Sequence, residues 1–284
     1  MRMIAFLTQI AIPEELRFKQ KLKDKIQQAL HSIKKDKERI NLTDNEAKFM
    51  KGNGTIDIHY SCQTAITEDG IIVSAYTTNQ CSDRTQTVQV AAKAESISGQ
   101  IYTDVLADSG YASYDNYEEF ENQNKNIYIP DQQMNMEDEK AQNPYHRNHF
   151  IYNEEKDCFI CPENKILPFC GTHVNKRMKA QNNVYKCKDC PACEKQSLCT
   201  KGKYRQICIE QREWMRKKIR GRLNSVEGKL KYRIRMRIES VFGNIKHNLN
   251  YVHLYLQGIQ KTTAEWQLIC IGHNLKKIHQ LKMV

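Results

Sequence analysis

The amino-acid sequence predicts an α/β fold, and three observations carry that prediction. Strand-like patterning occupies residues 55–79 and returns at 101–108. Helical patterning separates these strands and dominates from Glu210 to Leu281. Between the two regions, eight of the eleven cysteines crowd into residues 158–208, a segment of different character.

Taken in order, residues 14–40 (EELRFKQKLKDKIQQALHSIKKDKERI) are highly charged, with Leu16, Leu22, Ile26, Leu30 and Ile33 near helical spacing. They predict a long amphipathic helix serving as an arm or spacer. From Thr55 to Asn79 the pattern becomes IDIHYSCQTAI, the turn Glu68-Asp69-Gly70, then IIVSAYTTN, which predicts two strands joined by a tight turn. Asp83 to Ile97 reads as a helix with an acidic start, leading to a buried strand that stops at Asp108. Residues 115–124 read as helix, Asn126 to Pro130 as a short strand, and 131–149 as polar linker. In the closing stretch, Trp266, Ile269, Cys270, His273 and Ile278 form an apolar face, as for a helix packed on a sheet.

Composition narrows the function classes. The chain has 284 residues, 40% of them hydrophobic and 27% charged, with a mean hydropathy of −0.71. No run approaches the roughly 18 apolar residues of a membrane helix. Met3 to Pro13 is too short and too poorly flanked for a signal peptide, so a cytoplasmic location is expected. The formal charge of +11 favours polyanionic partners, nucleic acid first. From Lys201 onward there are 19 Lys and Arg against 5 Asp and Glu, so the positive excess lies in the C-terminal third.

Within that third, YRIRMRIESVFGNIK (Tyr232 to Lys246) holds one acid among four cations. On a helical wheel at about 100° per residue, Tyr232, Arg235 and Lys246 fall on one stripe with Glu239, while Ile234, Ile238, Val241, Phe242 and Ile245 fall on another. The plainer reading of Glu239 is an i,i+4 pair with Arg235. The alternative is a carboxylate that holds a divalent metal while Arg235 and Lys246 contact phosphates. That chemistry needs a second carboxylate, and Asp108, after Val105-Leu106-Ala107 and before Ser109-Gly110, stands at the mouth of the predicted strand. A turn aspartate beside a glycine is the plainer reading there.

The cysteines show metal-ligand spacing. Cys158-x-x-Cys161 is followed by Cys187-x-x-Cys190-x-x-Cys193 and Cys199, more thiols than the four that a structural zinc needs. Without a secretory leader such spacing favours metal over disulfides. Reduced, partly buried thiols without metal are the alternative. Lys176, Arg177, Lys186 and Lys188 flank the cluster and suit a DNA contact.

The spacing Tyr232-(2)-Arg235-(3)-Glu239-(6)-Lys246, in the context ESVFGNIK, resembles the C-terminal catalytic block of DDE transposases of bacterial insertion sequences. LTDNEAKFMK, YSCQTAI, VLADSGYASYDNYEEF, the cysteine segment and TAEWQLICIGHNLKKI resemble further blocks of that family. The resemblance implies a ribonuclease H-like mixed sheet with helices, carrying an inserted cysteine-rich, zinc-ribbon-like segment and an N-terminal helical arm. It implies DNA cleavage and strand transfer at insertion-sequence ends by two-metal phosphoryl transfer with Mg²⁺ or Mn²⁺. Asp108 and Glu239 would be the second and third acids, and Tyr232, Arg235 and Lys246 would position transposon-end DNA. For zinc it favours Cys161, Cys190, Cys193 and Cys199.

The family's first acid lies in an Asp-Gly-Thr-like motif upstream of a charged helical region, near which this chain begins. A truncated start, lacking that acid, is therefore expected, with Asp44, Glu46 and Asp57 as alternatives. Asp69-Gly70 is the only Asp-Gly pair and sits in the predicted turn. The expected organisation is a helical arm (1–42), the first part of the catalytic core (43–149), the cysteine-rich insertion (150–208) and the helical remainder of the core (209–284). Expected partners are transposon-end and target DNA, and a second copy of the chain when two ends are synapsed. A catalytically inactive, transposase-derived DNA-binding protein is the competing expectation.

Overall fold

The computed structural model describes residues 14–32, 41–52, 55–134, 143–175 and 180–283. Met3 to Pro13, the end of the expected arm (33–40), part of the polar linker (135–142), Lys176 and Arg177 lie outside them. The elements begin with α1 (Glu14–Ser32), β1 (Lys48–Gly52), β2 (Thr55–His59), β3 (Ser61–Ile66), β4 (Ile72–Thr78), α2 (Thr87–Ser98), β5 (Asp104–Leu106), α3 (Tyr114–Asn122) and β6 (Asn126–Tyr128). Then come β7 (Ile151–Asn153), β8 (Cys158–Ile160), β9 (Ile166–Asn175), β10 (Ala180–Lys186), the single turn α4 (Gln196–Cys199) and β11 (Gln206–Glu210). The helices α5 (Glu213–Asn224), α6 (Val226–Arg233), α7 (Met236–Gly243) and α8 (Ile259–Lys282) complete the chain. It is a mixed α/β protein divided into two units, Met1–Ser82 with Ser240–Val284, and Asp83–Glu239.

In the first unit the expected hairpin forms as β3 and β4, antiparallel from Ser61↔Thr78 to Ile66↔Ile72. Its turn places Gly70 at a φ of 80°, a left-handed conformation that favours glycine. The expected first strand is longer than the one observed. It divides at Tyr60, and its earlier half, β2, pairs antiparallel with β1 instead. The core here is Ile72, Val241, Ile245, Trp266, Ile269 and Cys270.

Along α8, Thr262, Trp266, Ile269, Cys270 and His273 are buried at helical spacing, which is the face expected from sequence, except that Ile278 is exposed. The same helix also bonds the backbone of β4. Thr77 N–H donates to Thr263 Oγ1 (3.1 Å), Gln267 Nε2 donates to Ala75 O (3.1 Å), and Asn274 exchanges two 2.8 Å bonds with Ile72. Backbone groups of β4, which among the described residues pairs only with β3, are thereby satisfied by side chains of a helix. The segment between α7 and α8 departs from the expected unbroken helix. Residues 244–248 form a π-helical turn, in which Leu249 N–H reaches Asn244 O at 2.9 Å, and 249–258 are not helical.

In the second unit, β5 and β6 pair in parallel, with α3 in the connection between them. Ser113 caps α3 by accepting from Asn116 N–H at 3.1 Å. Tyr117, Phe120, Ile127, Tyr128, Ile129, Met215, Ile219 and Leu223 form the core, so α3, β6 and α5 meet there. The strand expected to be buried up to Asp108 is only three residues long and half-buried. The cysteine-rich segment forms a five-stranded antiparallel meander, β7 to β11, each strand beside its neighbour in sequence. Phe150, Phe159, Leu167, Tyr185 and Ile207 fill it, and the Phe159 and Tyr185 rings meet edge-on at 4.9 Å.

Candidate functional site

The positions singled out by sequence are set by the ends of short elements. Just past β5, the Asp108 side chain accepts from Gly110 N–H at 2.8 Å and caps the 3₁₀ turn Ser109–Tyr111. A Cβ at Gly110 would stand 2.9 Å from Asp108 Oδ1, too close for any side chain unless the carboxylate shifted. Asp83 Oδ2 would be 3.9 Å from the same Cβ.

Tyr232, Arg235 and Glu239 do not share one continuous helix. α6 ends at Arg233, a turn covers Ile234 and Arg235, and α7 begins at Met236. The junction at the start of α6 is tight: Ser225 caps it through Gly228 N–H at 3.0 Å, and a Cβ at Gly228 would lie 1.8 Å from Arg222 O. The uniform wheel drawn from sequence therefore fails at two points, this turn and the π-helical turn that bears Lys246. Lys246 is exposed, in the unit Ser240–Val284, whereas Tyr232, Arg235, Glu239 and Asp108 belong to the other.

Arg235 Nη2 lies 3.2 Å from Glu239 Oε1, the i,i+4 pair of the plainer reading, and the guanidinium stands 5.4 Å from the centroid of the Tyr232 ring. Among the described residues, Arg235 Nε is buried and has no hydrogen-bond partner. Burial pushes the Tyr232 phenol up; the Asp108 and Glu239 carboxylates push the same way, and Arg235 opposes them. Among the described residues, no three His, Cys, Asp or Glu side chains are gathered to hold a metal ion. Asp108 and Glu239, engaged with Gly110 and Arg235, do not by themselves make a metal centre.

Sequence reasoning missed the support beneath this site. Lys231, on α6 beside Tyr232, donates to Asp104 Oδ2 at 2.7 Å, and Asn126 donates to Asp104 Oδ1 at 2.8 Å. These bonds hold the Asp104 carboxyl below its ordinary range although burial pulls it upward. The i,i+8 spacing of Lys231 and Glu239 gave no signal for it.

The alternative first acids are otherwise engaged. Asp44 accepts from Tyr60 Oη at 2.9 and 2.8 Å, from Gly258 N–H at 2.9 Å and from Glu46 N–H at 3.2 Å. Glu46 Oε2 accepts from Ile259 N–H at 2.9 Å. Both acids cap the start of α8, where backbone donors and the helix dipole favour carboxylates. Asp57 is exposed on β2, and Asp69 stays in the hairpin turn, as expected.

In the cysteine-rich meander, Cys161, Cys187, Cys190, Cys193 and Cys199 line one small cavity. Cys158 is buried but does not line it. Lys165 N–H donates to Cys161 Sγ and Arg205 N–H to Cys190 Sγ, each at 3.2 Å. Burial raises the Cys187 thiol to about 11, helped by its hydrogen bond with Cys190.

Residues 160–279 match the family model described as the transposase DDE domain. That segment, which includes Tyr232, Arg235, Glu239, Lys246 and the five cavity cysteines but not Asp108, is similar to the transposase DDE domain. No curated protein and no solved structure matches the chain. Among the described residues no helix is long and apolar enough to cross a membrane.

Proposed function

We propose that this chain acts on DNA as a transposase of the Tyr-Arg-Glu-Lys type, with a ribonuclease H-like core. Asp108 and Glu239 serve as two of its metal-binding acids, and Tyr232, Arg235 and Lys246 contact the DNA. The observation that carries the reading is the pairing of Arg235 with Glu239 beside the Tyr232 ring, inside a segment similar to the transposase DDE domain. Bound Mg²⁺ or Mn²⁺ would supply the Lewis acid for phosphodiester cleavage and strand transfer. The chain's own contribution is positioning, with Arg235 beside Glu239 and exposed Lys246 as phosphate ligands. Asp44 and Glu46, held as helix caps, do not serve as the first acid. Synapsis of two ends calls for a homo-oligomer. In the same reading a structural zinc stiffens the cysteine-rich meander.

The test uses the purified full chain, DNA carrying insertion-sequence ends, and Mg²⁺ or Mn²⁺. End binding that weakens on Arg235→Ala is expected. Metal-dependent cutting or joining that falls roughly a hundredfold or more on Asp108→Ala identifies the active enzyme. Binding without any cutting identifies the competing form, an inactive transposase-derived DNA-binding protein. A chain that binds no DNA rules out both.

A further inference from the structure

We infer that the zinc ion is held by Cys161, Cys187, Cys190 and Cys199, with Cys187 in the place that family resemblance gave to Cys193. This inference rests on the zinc reading above. Five thiols line the cavity, one more than a tetrahedral structural site uses. Packing separates them. Cys187 and Cys190 are buried members of the apolar cluster with Phe159, Leu167 and Tyr185, and Cys161 and Cys199 pack against it; Cys193 lies outside the cluster. Cys187 is 1% exposed, whereas Cys193 is half-buried.

Local bonding points the same way. Cys161 and Cys190 each accept a backbone N–H, from Lys165 and Arg205, the contact that steadies a thiolate once it has lost its proton. Cys187 and Cys190, in a Cys-x-x-Cys spacing, both line the cavity. Cys199, on α4, is positioned by Arg205, whose Nη1 donates to Cys199 O at 3.1 Å while its backbone N–H serves Cys190. The sulfurs are not drawn together to a single point in this structure. Binding would therefore turn them inward and release their protons.

The experiment measures metal content and thiol protection in the full chain purified without chelator. About one zinc per chain is expected, together with zinc-dependent protection of Cys161, Cys187, Cys190 and Cys199 from alkylation and none at Cys193, read by mass spectrometry with and without chelator. Cobalt binding should weaken roughly tenfold or more in Cys187→Ser and be unchanged in Cys193→Ser. Should Cys187→Ser fail to fold, the protection pattern of the unsubstituted chain decides. Absence of zinc and of a tetrahedral cobalt spectrum in the unsubstituted chain would overturn the zinc reading itself. Bound zinc with protection at Cys193 and none at Cys187 would overturn only the present assignment.

Discussion

Lys231 and Asp104, 127 positions apart, are joined by a 2.7 Å ion pair that ties the helix before Arg235 to the strand before Asp108. Its loss should loosen the site more than the fold. For a pair that remains partly exposed, Lys231→Ala is expected to cost on the order of 1 kcal/mol or less. Its effect on binding to end DNA should be larger than its effect on the denaturation midpoint, and equal small losses in both would show that the pair has no positioning role.

Acid should weaken the second unit through Asp104 and Asp131. Burial raises both, but hydrogen bonds from Lys231 and Asn126 to Asp104, and from Arg220 to Asp131, bring each below the ordinary 3.8. A folded value below the unfolded one gives stability that is complete above the unfolded value and is lost as pH falls through the folded value. The loss therefore begins below about pH 4 and continues downward. Denaturant titrations should show a shallower acid limb for Asp104→Asn than for the unsubstituted chain.

A larger stability effect is expected at the buried ion network. Asp131 is held by Arg220 at 2.6 and 2.7 Å and lies 3.9 Å from Arg216, which also pairs with Glu213. The Arg216 and Asp131 side chains are 9% and 11% exposed, so removing one leaves its partners charged and poorly hydrated. Asp131→Ala should cost about 3 kcal/mol in urea denaturation. A cost near zero would show that water reaches these groups.

In the proposed function, Glu239 competes with DNA for Arg235, with which it is paired in the free chain. With the pair formed at 3.2 Å in the free chain, Glu239→Gln should raise metal-free affinity for DNA by roughly two- to fivefold, since a partly exposed pair is worth under about 1 kcal/mol. Any metal-dependent cleavage would be lost in the same variant. Opposite signs in binding and catalysis are the signature; reduced metal-free affinity would mean that Arg235 does not face the phosphates.

Asp44 gives a control for the carboxylates. As a cap receiving Tyr60, Glu46 and Gly258, it should cost about 1–2 kcal/mol on replacement by Ala. DNA cleavage per folded molecule should be unchanged, and a selective loss would restore Asp44 as a metal ligand.

The hairpin β3–β4 was legible because alternation on both sides of Glu68-Asp69-Gly70 and the glycine's left-handed backbone agree. The helix over Asp83 to Ile97 and the pair β5–β6 were legible for similar local reasons. The meander was not: β10 reads AQNNVYK, with little strand preference, and is fixed by its neighbours and by the packing of Tyr185. Nor was the turn at Ile234 and Arg235, which carries no Gly or Pro. The acids and their cationic neighbours could be picked out one by one, but Arg235's stacking on Tyr232 and the bracing by Lys231 depend on contacts that spacing cannot reveal.

Three polar residues of α8, Thr263, Gln267 and Asn274, bond the backbone of β4 where a neighbouring strand could otherwise add. They hold those backbone groups from more than 180 residues away in the chain. Replacing them with leucines would leave open backbone donors and acceptors along β4, and the sheet could then extend from one molecule into the next.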